Sequence, residues 1–155
     1  MGVRPVSTRT VVITLLLSST VSLLMMVSKS ATVRVNGQRI LSDVSPVSGV
    51  HEHFLPLRAV ALGLGAVTSY DAKRGRIEIF RGRDTITMYL GERRAKLNGI
   101  DFQLEHAPFL VRGRVMVPSS LFMHALRSYV HYDASSETID VLSNSHNASE
   151  SEPNP

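Results

Sequence analysis

The chain has no cysteine. This excludes a disulfide scaffold, a cysteine nucleophile, Cys-based zinc sites and a lipidated N-terminal cysteine. It has no tryptophan, and aromatic residues make up only 6%, which is poor material for a sugar- or base-stacking platform. Neither a Gly-x-Ser-x-Gly elbow nor a Gly-rich phosphate loop occurs. Acidic residues are missing from positions 1–31, which hold Arg4, Arg9 and Lys29. That local lack produces most of the formal net charge of +4. Beyond residue 31 stand 14 basic and 13 acidic side chains, a net of +1. The bulk of the chain is therefore not basic, which removes the main reason to expect a nucleic-acid partner. What remains is 155 residues, 43% of them hydrophobic, enough for one packed domain with tails.

Arg4 and Arg9 precede Val11 to Val27, a run of 17 residues without charge, and Lys29 closes it. The order of a positive region, an apolar run and small residues at Ser28 and Ser30 fits a secretory signal cleaved before Ala31. An uncleaved membrane anchor is the alternative, since about 20 apolar residues span a bilayer. Either way residues 1–31 predict export of the rest of the chain, with the N-terminus inside.

The middle of the chain repeats itself at an offset of 62. Asn36-Gly37 recurs as Asn98-Gly99, Pro46 as Pro108, Leu55-Pro56 as Val117-Pro118, and Tyr70-Asp71-Ala72 as Tyr132-Asp133-Ala134. Residues 32–80 and 94–142 thus read as two copies of one unit. In each, a short alternating strand ends at Asn-Gly, the strongest short hairpin signal. A proline follows at what should be the first helical position, Pro56 or Pro118. Leu57, Val60, Ala61 and Leu64 form one helical stripe, and Leu121, Phe122, Ala125 and Leu126 the other. Gly65 ends the first helix, but no glycine follows the second. Asp71 and Asp133 predict Asx turns before closing strands. Between the copies, Ile86, Met88 and Leu90 alternate on one strand face. The expected fold is α+β: two tandem pseudo-repeats of antiparallel strands, each wrapped around one short helix. Residues 143–155 lack an apolar anchor and predict a disordered tail; Asn147-Ala148-Ser149 in it matches a glycosylation sequon.

The pattern Val35-Asn36-Gly37-Gln38, Asp43-Val44-Ser45-Pro46, Leu55-Pro56-Leu57-Arg58-Ala59-Val60-Ala61, Leu64-Gly65-Ala66-Val67 and Tyr70-Asp71 resembles the copper amine oxidase N-terminal-like, or stalk, domain. The second round is Leu97-Asn98-Gly99, Pro108, Arg112-Gly113-Arg114, Met116-Val117-Pro118, Tyr132-Asp133 and Thr138-Ile139-Asp140-Val141. The resemblance covers residues 32–142 and departs in two places. The first hairpin carries His51-Glu52 where Asn-Gly-Arg is usual, and the second helix begins Pro118-Ser119-Ser120 and ends in Arg127-Ser128. It implies a bacterial cell-envelope module with no catalytic residues to carry over, since the copper and quinone chemistry belongs to another domain.

Two constellations remain. His51-Glu52-His53 places two imidazoles at i and i+2, a spacing that shares a strand face and suits Cu, Ni or Zn. Further ligands would come from His106, His124 or His131, scattered over the second copy. Residues 73–96 hold Lys73, Arg74, Arg76, Arg81, Arg83, Arg93, Arg94 and Lys96 against Glu78, Asp84 and Glu92, a local net of +5. That stripe predicts contact with an anionic wall polymer or anionic lipid. Ser119-Ser120 read as capping residues of the second helix. The expected function is a non-enzymatic, exported envelope module, without a cofactor, that binds a wall polymer, a membrane surface or a protein partner. A metal-binding protein using His51 and His53 is the alternative.

Overall fold

A computed structural model describes residues 31–49 and 52–144. The apolar run, His51 and residues 145–155 lie outside the described residues. The first half contributes β1 (Thr32–Val35), β2 (Gln38–Arg39), β3 (Val47–Ser48), β4 (His53–Pro56), α1 (Leu57–Gly63), β5 (Val67–Asp71) and β6 (Arg76–Arg81). After β7 (Asp84–Tyr89) the second half follows as β8 (Arg94–Leu97), β9 (Ile100–Gln103), β10 (Phe109–Val111), β11 (Arg114–Pro118), α2 (Ser119–His124), β12 (Ser128–Asp133) and β13 (Thr138–Ser143). The described residues are thus mostly β, with two short helices. Strand β13 includes Ser143, the first residue of the expected tail.

Local chemistry explains the turns. Asn36-Gly37 and Asn98-Gly99 both adopt positive φ at both residues, at 49° and 78° and at 52° and 85°. That is the primed turn whose twist matches a hairpin, and Asn and Gly tolerate it best. Asp71 Oδ1 accepts from the Lys73 backbone N–H at 2.9 Å, and Asp133 Oδ1 from that of Ser135 at 2.9 Å. Both are the expected Asx turns.

Every sheet draws strands from both halves of the chain. The order β12-β13-β1-β2 joins the end of the second half to the start of the first. The order β5-β6-β7-β8-β9 joins the end of the first half to the start of the second, and β10-β11-β4-β3 interleaves the two hairpins. The expectation of uniformly antiparallel strands fails, because β1 lies parallel to β13, with Val33 beside Ile139 and Val35 beside Val141. The reason is burial. The pairing places four apolar side chains from opposite ends of the chain in the core and occupies the backbone groups along one side of β13.

The centre of the middle sheet is nearly self-matched. Leu55 faces Val117, the residue 62 positions on, and both are fully buried. Around them pack Val60, Ile77, Ile79, Ile86, Leu121, Phe122 and Ile139 in one core. Both predicted helical stripes are buried in full. The prolines sit one position earlier than expected: Pro56 and Pro118 close β4 and β11 with extended ψ of 106° and 144°, and the helices begin at the next residue. Neither helix has a side-chain cap from that N-cap position.

Candidate functional site

Antiparallel pairing of β4 with β11 sets the geometry. Pro118 lies opposite Phe54. Glu52, two residues before Phe54, therefore reaches the start of α2. Ser119 Oγ donates a short hydrogen bond to Glu52 Oε1, and the Ser120 backbone N–H donates to the same oxygen at 3.3 Å. The serines do not cap α2 themselves, as their position suggested. They donate to an acceptor 67 and 68 positions away.

Glu52 is 6% exposed. Burial pushes its carboxyl up, but the bonds from Ser119 and Ser120 and the contact with Glu105 outweigh that, leaving it below the usual glutamate range. Ser120 is 2% exposed, and its Oγ lies against the same carboxylate. That hydroxyl nevertheless makes no hydrogen bond of acceptable geometry among the described residues. One ligand-type atom each from Glu52, Glu105 and His106 lies within 4.8 Å of the others. Glu105 and His106 are exposed. The His106 ring meets the Phe54 ring edge-on at 5.6 Å, which gives the imidazole a wall to rest on.

The equivalent corner of the other half holds a different chemistry. Asp43 stands 62 positions before Glu105, and Arg114 stands 62 positions after Glu52. Arg114 Nε donates to both Asp43 oxygens at 3.0 and 2.9 Å, and its Nη2 lies 2.8 Å from Oδ2. The guanidinium holds the Asp43 carboxyl below its ordinary range. Beside this pair runs a groove of about 690 Å³ whose lining includes Leu41, Arg58, Leu62, Tyr70 and Ile77. Leu41 is 86% and Leu62 71% exposed.

Of the expected histidine pair, His51 lies outside the described residues. His53 Nδ1 is 3.2 Å from Ser48 Oγ, and its ring packs on Tyr132 at 4.4 Å. His131 stacks on Tyr129, and His124 ends α2. Only His106 of the additional candidates joins carboxylates, with Glu52 rather than with His53.

The eight basic residues are distributed. Alternation places Arg76, Arg94 and Lys96 on the outer face of the five-stranded sheet, together with Asp71, Glu78 and Asp101. Arg76 pairs with Glu78 at 2.7 Å and Lys96 with Asp101 at 3.9 Å. Lys73 and Arg74 lie in the β5–β6 turn, where Arg74 pairs with Asp71 at 3.0 Å. Arg81 and Arg93 donate to the backbone carbonyls of Leu126 and Leu104 at 2.6 and 2.9 Å. Arg83 lies in the β6–β7 turn. Glu105 and His106 carried no pattern of their own in the sequence. The signal that locates them is that both departures from the stalk-domain pattern, Glu52 and Ser119-Ser120, touch one another.

No curated protein and no solved structure matches the chain. Residues 34–141 match the copper amine oxidase N-terminal domain, which is non-catalytic in itself, and no catalytic domain is matched. With that span covered, the chain belongs to the copper amine oxidase N-terminal domain family.

Proposed function

We propose that this chain is a non-enzymatic, exported cell-envelope module that binds an acidic, leucine-bearing segment of a protein partner in the groove beside Asp43 and Arg114. The observation that carries this reading is the groove's composition. Leu41 and Leu62 are apolar side chains held in water at its rim, and Arg58 adds a cation beyond the mutually paired Asp43 and Arg114. Exposed apolar surface rimmed by charge is what a partner surface requires. The β5–β6 hairpin, which lends Tyr70 and Ile77 to the groove, also carries Lys73 and Arg74 at its turn. An anionic wall polymer has no apolar groups to cover the leucines, so a protein segment fits better. Export rests on the order of charge and apolar residues in 1–31. The recurrence of elements at an offset of 62 supports two interleaved copies of one ancestral unit.

The test is calorimetric titration of the full-length chain with Leu/Glu peptides, using Leu/Lys peptides, polyglycerol phosphate and anionic vesicles as competitors. Leu/Glu peptides should bind, and Leu62→Asp and Arg58→Glu should each weaken binding about tenfold or more, the loss of one interfacial contact of about 1.4 kcal/mol. Salt-sensitive binding of the polymer or vesicles that instead disappears in Lys73→Glu/Arg94→Glu would replace this reading with the polyanion one.

A further inference from the structure

We propose that Glu52, Glu105 and His106 bind one divalent transition-metal cation, in the corner where the other half of the domain places an arginine guanidinium. The inference does not depend on the groove reading. In the first corner the Asp43 carboxylate meets the Arg114 cation through three contacts of 2.8 to 3.0 Å. In the second corner both positions are carboxylates, Glu105 and Glu52. A carboxylate as buried as Glu52 needs a compensating charge or hydrogen bonds on its oxygens. Among the described residues no lysine or arginine pairs with Glu52 or Glu105. Ser119 and Ser120 both donate to Oε1 of Glu52 and so fix the carboxylate in place. Ser120 Oγ, also buried, has no partner among the described residues and lies against the same carboxylate.

The donor set specifies the class of ion. Two carboxylates and one imidazole suit zinc or manganese, whereas calcium and magnesium prefer all-oxygen shells. Ligands about 2.0–2.1 Å from a tetrahedral ion stand about 3.3 Å apart. The observed spread of up to 4.8 Å closes by rotation of Glu105 and His106, both exposed, while Ser119 and Ser120 hold Glu52 in place. The Phe54 edge restrains the His106 ring. The His53 ring is already engaged with Ser48 and Tyr132 and is not a ligand.

The experiment titrates the full-length, chelator-treated chain with Zn²⁺ and Mn²⁺, with Ca²⁺ and Mg²⁺ as oxygen-preferring controls. The expected result is one Zn²⁺ per chain and a rise in melting temperature with Zn²⁺, as for any ligand that binds only the folded state. His106→Ala and Glu105→Gln should each lower affinity about tenfold or more, since even outer-shell changes cost that much at metal sites. Both residues are exposed, so these variants should melt like the parent chain without metal. Zn²⁺ should shift the ring resonances of His106 and leave those of His53 in place. Arg114→Gln should leave uptake unchanged. Three results overturn the proposal: no saturable uptake, uptake that survives both His106→Ala and Glu105→Gln, or uptake abolished by His51→Ala/His53→Ala while His106→Ala retains it.

Discussion

At one corner of this domain Arg114 closes on Asp43, and at the other Glu52 faces Glu105 beside His106, although the two sets of positions are related by the same shift of 62 residues. The difference follows from burial. The Asp43–Arg114 pair is 60% and 51% exposed at its side chains, where water screens the charges and an ion pair contributes little. Glu52 has moved under the start of α2, where Ser119 and Ser120 replace water as donors. Positions related by the shift of 62 therefore hold charge in two ways. One is self-neutralised at the surface. The other is hydrogen-bonded and acidic.

Three pairs of substitutions and one single change probe the contrast between the two halves. The largest effect should come from Glu52→Leu, which leaves Ser119 Oγ and the Ser120 N–H without their acceptor. A loss of about 2–3 kcal/mol is expected, against less than about 1 kcal/mol for Arg114→Leu at the exposed corner. Urea denaturation of both measures the ratio, and equal losses would mean that the corners are energetically alike. Glu105→Arg places a guanidinium beside Glu52 and should make the second corner resemble the first. A stability gain of about 1 kcal/mol, together with loss of the Zn²⁺-induced melting shift, is the expected pair of results.

A smaller effect tests how each half ends its helix. Gly65 has φ of 73°, and Arg127, 62 positions later, has φ of 48°. An arginine there accepts a left-handed backbone that glycine adopts freely. Arg127→Gly should stabilise the fold by about 0.5 kcal/mol, and Gly65→Arg should cost about 1 kcal/mol. Thermal melts that show no difference between the two sites would remove this asymmetry.

The smallest effect concerns the Asx turns. Hydrogen bonds from the Ser135 and Ser136 hydroxyls and the Ser135 N–H hold the Asp133 carboxyl well below its ordinary 3.8. At Asp71 the bond from Arg74 comes first, followed by N–H donors. A lowered folded-state value means that the stabilisation is present above pH 3.8 and is lost as pH falls through the lower folded-state value. Asp133→Asn should flatten acid denaturation below that pH more than Asp71→Asn, as followed by circular dichroism.

Much of the fold is legible in order along the chain. Period 3.6 marks both helices, period 2 marks Ile77-Ile79 and Ile86-Met88, and Asn-Gly and Asp mark the turns, because each depends on neighbours within a few residues. Partnership between strands distant along the chain was not legible. Alternation says that β1 has a buried face but not that β13 lies beside it. The basic stripe was legible as composition, and the pairing adds that Arg76, Arg94 and Lys96 share one sheet face while Lys73, Arg74 and Arg83 lie in turns. His51-Glu52-His53 suggested metal ligands by adjacency, whereas the structure groups the Glu52 carboxylate with Glu105 and His106 and sets His53 against Ser48.

By itself the sequence determined the elements and the recurrence at 62, since these are properties of local spacing and residue type. The tertiary structure alone decided that the halves interleave and that Glu52, Glu105, His106 and Ser120 converge. The physical reason is that the convergence depends on the register of β4 against β11, which Leu55 and Val117 fix by burying themselves opposite one another.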